Sequence, residues 1–417
     1  MLSTLRSAWK IEELRTKIIF TLWMFLIFRI GAHVPVPGVD SEALKGLLSQ
    51  NIFGFIDVVS GGAFKKFTVF AMGIMPYINA SIIMQLLTVV IPYFEKIAKE
   101  GVEGRKKIVQ YTRYGTVILG FIQAIGMSFY LKGALENPGI FSIIVIAITL
   151  TAGTAFLMWL GELITEKGIG NGISLIIFAG IVSRLPAGIN TIYQYLSTGE
   201  TNFFAVLAFL VIAIVIIAGV VAIQEGQRRI PVQYAKRVVG RKVYGGQSTH
   251  IPLKVNQAGV IPVIFAMSIL MFPTTIAAYF PNNSIAVWIT NVLSFRHPFY
   301  MIIYAMLIIF FTYFYTAVTF NPQEVADNMK KYGGFIPGLR PGRPTAEYID
   351  RVLTRVTLAG AIFLAFIALL PNFVMAFTGL DIYFGGTSLL IVVGVALETM
   401  KQLESHLLMR HYQGFMK

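Results

Sequence analysis

The segment Gly168-Ile169-Gly170-Asn171-Gly172 is the stretch of the sequence that comes closest to a phosphate-binding loop. It lacks the lysine of a P-loop and does not follow a strand-like run, so we expect no nucleotide chemistry there. A buried hydrolase would need a base within an apolar segment. The histidines all lie at the ends of such segments or between them: His33, His250, His297, His406 and His411. The chain has no cysteine, which excludes disulfides and thiolate metal ligands. We therefore expect no catalytic residue, metal or cofactor.

Composition indicates the environment of these residues. The chain is 56% hydrophobic and only 13% charged, which is typical of a polytopic membrane protein. Segments of roughly 20 apolar residues are long enough to cross a bilayer once. We expect an all-α fold of ten transmembrane helices, at residues 17–35, 68–92, 114–131, 140–161, 172–190, 202–223, 257–280, 299–320, 357–377 and 383–400.

The distribution of positive charge predicts the orientation of the chain. Most of the 34 lysines and arginines lie in alternate segments between the spans, which are cytoplasmic by the positive-inside rule. Both termini are then cytoplasmic, with residues 1–17 as an interfacial helix rather than a cleaved signal peptide, and residues 401–417 as a tail. Orientation alone accounts for most of the net charge of +14.

An internal repeat links the two halves of the sequence. Gly73-Ile74-Met75-Pro76-Tyr77-Ile78-Asn79-Ala80 recurs as Gly259-Val260-Ile261-Pro262-Val263-Ile264-Phe265-Ala266, with Gly, Pro, Ile and Ala in register. The copies are an odd number of spans apart, so the second half, 202–400, is expected to run inverted relative to the first, 18–190. An external connector at 191–201 joins them. Inverted repeats place a substrate path at their mutual interface.

The positions of the acidic residues indicate which class of substrate could use that path. Ion-coupled transporters carry ionisable groups in mid-membrane. Here all 20 acidic residues fall in loops or near span ends, Glu162 and Glu398 included. The residues therefore favour a passive conduit around a central pore. A secondary transporter of the inverted-repeat type is the alternative, and a protein that binds RNA or a lipid surface would explain only the basic loops.

Five motifs carry a resemblance over nearly the whole chain: "GGAFKKFTVFAMGIMPYINASIIMQLL", "EKGIGNGISLIIFAGIV", "STHIPLKVNQAGVIPVIFA", "FIPGLRPGRPT" and "YFGGTSLLIVVGVALET". In these motifs the sequence resembles the SecY family. The resemblance implies a non-enzymatic channel in the plasma membrane that passes unfolded preproteins and releases hydrophobic segments into membrane lipids. It also implies recognition of signal peptides, assembly with SecE and SecG, and energy from the SecA ATPase or the ribosome.

The resemblance implies that a ring of aliphatic side chains closes the pore. Isoleucine makes no hydrogen bond, so a narrow ring of it excludes water and ions while a stretched chain can pass. The matching positions are Ile74, Ile78, Ile173, Ile177, Ile264 and Ile391.

A plug and a lateral gate are further implications of the resemblance. Residues 55–67 would fold back beneath the ring, whereas taken alone they read as an external turn. The plug residues are Phe55, Ile56, Val58, Val59, Ser60, Gly61, Gly62 and Phe64. Asn79 and Gln123 would lie on one side of the gate and Phe272 on the other. For Asn79, an ordinary hydrogen bond between helices is an equally good interpretation.

Two cytoplasmic loops, 224–256 and 321–356, are candidates for docking. In the second loop, prolines and glycines frame Arg340 and fix the backbone around it. A rigid basic protrusion suits ribosomal RNA phosphates or an acidic protein surface. The resemblance assigns motor function to Arg340 and ribosome or SecA docking to the loops, whose first member carries Arg228, Arg229, Lys236, Arg237, Arg241 and Lys242.

Overall fold

The computed structural model describes residues 2–40, 54–135, 137, 139–199, 203–234, 237–239, 242–244, 248–278, 280, 283–294, 297–378 and 386–414. The helices of the first half are α1 (Leu2–Lys10), α2 (Glu12–Gly31), α3 (Gly54–Val59), α4 (Met75–Val90), α5 (Pro92–Lys99), α6 (Val102–Tyr130), α7 (Ile140–Lys167), α8 (Gly172–Ser183) and α9 (Leu185–Ser197). Within this half, α6 packs against α4 and α7, and α7 packs against α8.

The helices of the second half are α10 (Phe203–Glu225), α11 (Ile261–Ala278), α12 (Ser284–Val292), α13 (Pro298–Thr319), α14 (Pro322–Lys331), α15 (Arg343–Thr378) and α16 (Gly386–Gly414). Helix α13 packs against α11 and α15, and α16 packs against α10 and α15. The halves meet where α4 contacts α11 and where α8 contacts α16.

Every one of the ten predicted spans coincides with a helix. By length and composition, five helical stretches among the described residues can cross a membrane: α7, α8 with α9, α10, α13 with α14, and α15. Helix α4 followed by α5, bent by 98°, is a sixth candidate. The remaining predicted spans fall on α2, α6, α11 and α16. Side chains of α10 are exposed along much of its length, Phe204 by 80%, as expected where the neighbours are lipid tails.

Several boundaries differ from those expected. The N-terminal leader breaks at Ile11, and α2 starts at Glu12 rather than near residue 17. The second span was expected from residue 68, but α4 begins only at Met75. Pro76 suits its first turn because it needs no hydrogen-bond donor there. The fifth span is broken at Arg184. Hydropathy could not report the late start of α4 or the break at Arg184, because the residues around both are mostly apolar whether helical or not.

The sequence repeat is also a repeat of local structure. Gly73 (φ +56°) and Gly259 (φ +65°) both adopt the left-handed conformation that glycine permits at little cost. In each copy the helix begins two residues later, at Met75 and at Ile261. These two helices, α4 and α11, contact each other across the interface of the halves.

Short strands occur in the two predicted docking loops, 224–256 and 321–356: β1 (Gln227–Tyr234), β2 (Arg237–Val239), β3 (Lys242–Tyr244), β4 (Ser248–Lys254) and β5 (Gly334–Phe335). One antiparallel sheet has the order β4-β1-β5, and β2 pairs with β3. Ile230 and Val232 alternate inward from β1 and join an apolar cluster with Met329 of α14 and Ile349 of α15. The two loops therefore form one packed unit rather than separate protrusions.

Candidate functional site

The predicted plug folds back into the protein instead of lying on its outside. After α3 the backbone turns at Gly61 (φ +69°) and Gly62 (φ +88°), both in the left-handed region. The side chains of Val58, Val59, Ser60 and Phe64 are all buried, with at most 5% exposed. Phe55 and Ile56 belong to α3, but their side chains lie outside the described part of the structure.

The buried segment fits closely against α8. A β-carbon added to Gly180 would lie 2.1 Å from the carbonyl oxygen of Val59, and one added to Gly61 would lie 2.9 Å from Ser183 Oγ. Only glycine at these positions permits the backbones to approach so closely. The segment therefore packs closely against helix α8 of the first half.

Charged side chains hold the same segment. Arg184 forms an ion pair with Asp57 Oδ2, and Asp57 Oδ1 accepts a hydrogen bond from the backbone N–H of Lys65 at 2.9 Å. Arg29 donates from Nη1 to the carbonyl oxygen of Gly61 at 2.9 Å and to Ser183 Oγ at 3.2 Å. None of Asp57, Arg184 and Arg29 was predicted from the sequence. The one signal for the two arginines was that each is a cation inside a predicted span, Arg29 in 17–35 and Arg184 in 172–190.

The predicted ring residues share one apolar cluster that extends across both halves. Ile74, Ile78, Ile177 and Ile391 are buried in this cluster, and Ile264 packs against it from α11. Because α4 contacts α11 and α8 contacts α16, these residues lie on helices at the interface between the halves. Their role as a ring stays a prediction.

Ile173 also packs against this cluster and has a further neighbour on α7. Its Cδ1 atom lies where a β-carbon on Gly161 would be only 2.5 Å away, so the side chain packs against α7. Ile181, four residues after Ile177 on the same face, is fully buried in the cluster beside the segment's contact at Gly180.

The predicted gate lies on three helices that meet at the same interface. Asn79 on α4 and Gln123 on α6 are both partly buried, and α4 contacts both α6 and α11. Phe272 on α11 is 39% exposed. Helices α4 and α11 contact each other here, and Phe272 remains accessible on α11; the role of these residues as a gate stays a prediction.

The turn around Arg340 is anchored by a hydrogen bond and by a buried neighbouring side chain. Gly338 (φ +84°) and Gly342 (φ +101°) turn the backbone on either side, and Thr345 Oγ1 donates to the carbonyl oxygen of Arg340 at 2.8 Å. Ile336, just before the turn, is buried in the apolar cluster that joins the two loops. The Arg340 side chain is exposed, and the ion pairs found among the described residues do not include it; the nearby Arg343 instead pairs with Glu347 at 3.1 Å.

The basic residues of the first loop are only partly described. Arg228 and Arg229 are exposed on β1, which also pairs with β5 just before the Arg340 turn. The side chains of Lys236, Arg237, Arg241 and Lys242 lie outside the described residues. Across the ranges that the structure describes, no group of three or more His, Asp or Glu side chains could hold a metal ion.

Comparison with known proteins gives a consistent result over the full length. A model of the SecY family matches residues 68–400. The protein translocase subunit SecY of Halalkalibacterium halodurans is 53% identical, with 100% of both chains covered. The corresponding subunit of Bacillus subtilis is 52% identical at the same coverage, and that of Aquifex aeolicus is 46% identical over 99% of each chain.

Solved structures share the fold. A protein-conducting channel superposes with a TM-score of 0.68 at 20% identity, covering 94% of this chain and 92% of that one. Sec61 in the canine ribosome-channel complex gives a TM-score of 0.64 at 18% identity with the same coverage. The predicted fold, an all-α membrane protein of ten spans in two inverted halves, is confirmed. The chain belongs to the SecY family.

Proposed function

We propose that unfolded preproteins cross the membrane between the two halves of this chain, through the isoleucine ring and past a plug formed by residues 55–67. The chain is a membrane-embedded, non-enzymatic channel subunit that conducts polypeptides. One observation carries the proposal: the segment before α4 is buried against α8, beside the apolar cluster that contains the ring candidates.

The ring and the plug would act as two seals in series. An aliphatic constriction stays dry because it offers water no hydrogen bonds, so ions meet a high barrier. A stretched polypeptide brings its own side chains into contact with the isoleucines and does not need to be hydrated there. The plug adds a second layer that has to move aside before a chain can pass. Backbone without a full spanning helix is tolerated at this depth because protein surrounds it.

Lateral release of hydrophobic segments would use the seam between α4 and α11, with α6 and α13 beside it. Hydrogen bonds between membrane helices, such as those available to Asn79 and Gln123, stabilise by only about 0.6 to 2 kcal/mol each. A seam held by a few such bonds and by packing is closed but can open. A hydrophobic signal peptide that enters would replace the lost contacts.

The energy for export would come from partners that bind the packed unit formed by the two cytoplasmic loops. The solved relatives include Sec61 and the yeast Ssh1 complex bound to ribosomes, which supports docking of a ribosome on this chain as well. The exposed Arg340 suits the SecA ATPase, and Arg228 and Arg229 suit phosphates of ribosomal RNA. SecE and SecG complete the complex, in the plasma membrane with both termini cytoplasmic.

The test is a crosslinking experiment on a stalled secretory chain. A photoreactive amino acid is introduced at Ile78 or at Ile391, and the chain is arrested partway through export. We expect crosslinks from both positions, and no crosslink from the same probe at Phe204, which is exposed on α10. If neither ring position crosslinks to the stalled chain, the path does not run between the halves.

Replacing Ile78 with Asn is expected to weaken the seal. The amide lets water into the constriction, and we expect the ion leak of the resting channel to rise about tenfold, equivalent to about 1.4 kcal/mol of barrier. Export of a preprotein with a defective signal sequence should rise as well. Ile83→Asn is the matched control, because Ile83 is 45% exposed on the same helix. Leak and export unchanged by Ile78→Asn, as measured in vesicles and in cells, would count against the ring.

A further inference from the structure

Two arginines from the surrounding scaffold converge on the plug segment. Arg184, at the junction of α8 and α9, pairs with the carboxylate of Asp57, which is 1% exposed. Arg29, on α2, donates to the carbonyl oxygen of Gly61. Each side of the segment is thereby attached to a different helix of the first half.

We propose that Asp57, Arg184 and Arg29 form a latch that holds the plug closed and sets how strong a signal sequence must be to open the channel. The inference rests on the proposed function, in which residues 55–67 are the plug. In these terms, Asp57 and Arg184 are specificity-determining residues: a weak signal sequence fails because it cannot offset the loss of their contacts.

The two arginines of the latch bind different kinds of group on the plug segment. The carboxylate of Asp57 is buried, so it depends on its counter-charge; a buried charge that loses its partner is strongly unfavourable. The Arg184 side chain is 27% exposed, so water can solvate its guanidinium once the plug leaves. Arg29 instead binds a backbone carbonyl, a contact that depends on the path of the backbone and not on the side chains of the plug.

Close packing and hydrogen bonds around Asp57 and Val59 hold the plug segment in one defined position, which the two arginines then secure. The carbonyl oxygen of Val59 lies against Gly180. Asp57 also accepts two hydrogen bonds that close the turn. Its side chain accepts from the backbone N–H of Lys65, and its backbone carbonyl oxygen accepts from the N–H of Gly62 at 2.8 Å. Asp57 therefore both shapes the turn and binds the scaffold. Movement of the plug has to break the ion pair and the Arg29 contact together.

The pair also predicts a specific pattern among variants. Arg184→Gln leaves the Asp57 carboxylate buried without a counter-charge, and release of the plug restores its hydration, so this variant should open most readily. Asp57→Asn/Arg184→Gln removes both charges and leaves nothing to hydrate. The double variant should therefore be tighter than Arg184→Gln alone, a reversal that a merely structural role for Arg184 would not produce.

The experiment uses the complete translocase, with two readouts. The first is the ion leak of the resting complex in vesicles, and the second is export in cells of a reporter with a defective signal sequence. For Arg184→Gln we expect both to rise about tenfold, which corresponds to about 1.4 kcal/mol. In Asp57→Asn/Arg184→Gln we expect both to fall back toward wild type. Lys132→Gln, which removes one exposed positive charge outside the plug segment, is the control and should change neither.

Export of a reporter with a strong signal sequence verifies that each variant folds and assembles. Two results would overturn the latch proposal. The first is an Arg184→Gln variant whose ion leak and export of the defective-signal reporter both match wild type. The second is a double variant as leaky as Arg184→Gln. The crosslinks at Ile78 and Ile391 separate this failure from that of the proposed function. Crosslinks together with wild-type behaviour of Arg184→Gln refute the latch alone, whereas missing crosslinks refute the path through the channel.

Discussion

A channel carrying Ser60→Cys and Gly73→Cys is expected to lose export almost completely on oxidation and to recover it in reductant. A β-carbon at Gly73 would lie 3.6 Å from Ser60 Cβ, and disulfides join β-carbons about 3.5 to 4.5 Å apart. The bond would fix the middle of the plug segment to Gly73, two residues before α4 begins. Because the chain has no cysteine of its own, the disulfide can form only between the introduced residues.

The two single variants are the controls for this experiment. Gly73 has φ +56°, so any side chain there strains the backbone, and Gly73→Cys alone measures that effect. Export is measured in vesicles, and mass spectrometry establishes that the bond has formed. Full export by a channel shown to be crosslinked would mean that the segment does not move, and that it is not a plug.

Reversing the charge at Arg340 is expected to abolish SecA-driven export while the complex still assembles. The side chain is exposed on a turn whose backbone is fixed by two glycines and by Thr345, and no intramolecular ion pair of the described residues occupies it. A glutamate there would repel an acidic partner without disturbing the fold, since the apolar anchor at Ile336 is untouched.

Arg343→Glu is the matched control for Arg340→Glu. It makes the same change of charge three residues away, at a side chain that is also exposed and already engaged with Glu347. We expect a modest effect of Arg343→Glu on export and a loss of at least about a hundredfold for Arg340→Glu, the size expected when a charge pair worth about 3 kcal/mol becomes repulsive. Purification of the intact complex tests assembly. Equal export by the two variants would remove Arg340 from the motor interface.

The sequence predicted the spans well because the hydropathy of a segment depends only on its own residues and determines whether that segment partitions into the bilayer. It also predicted the relation between the halves, since the repeat at Gly73 and Gly259 reflects a shared local conformation. The contacts of the plug were not accessible in this way. Asp57 and Arg184 are 127 residues apart, and no periodicity or motif connects them. Similarly, the packing of Ile173 against Gly161 depends on how α7 and α8 lie together, which motif matching does not encode.

The sheet that joins loops 224–256 and 321–356 has a mechanical consequence. Helix α10 leads into β1 and β4 leads into α11, while β5 connects α14 to the Arg340 turn and α15. Through the pairing of β1 with β5, a load applied at Arg340 is shared among these helices. A partner that displaces the Arg340 turn would therefore also act on α11, the helix that contacts α4 at the interface of the halves.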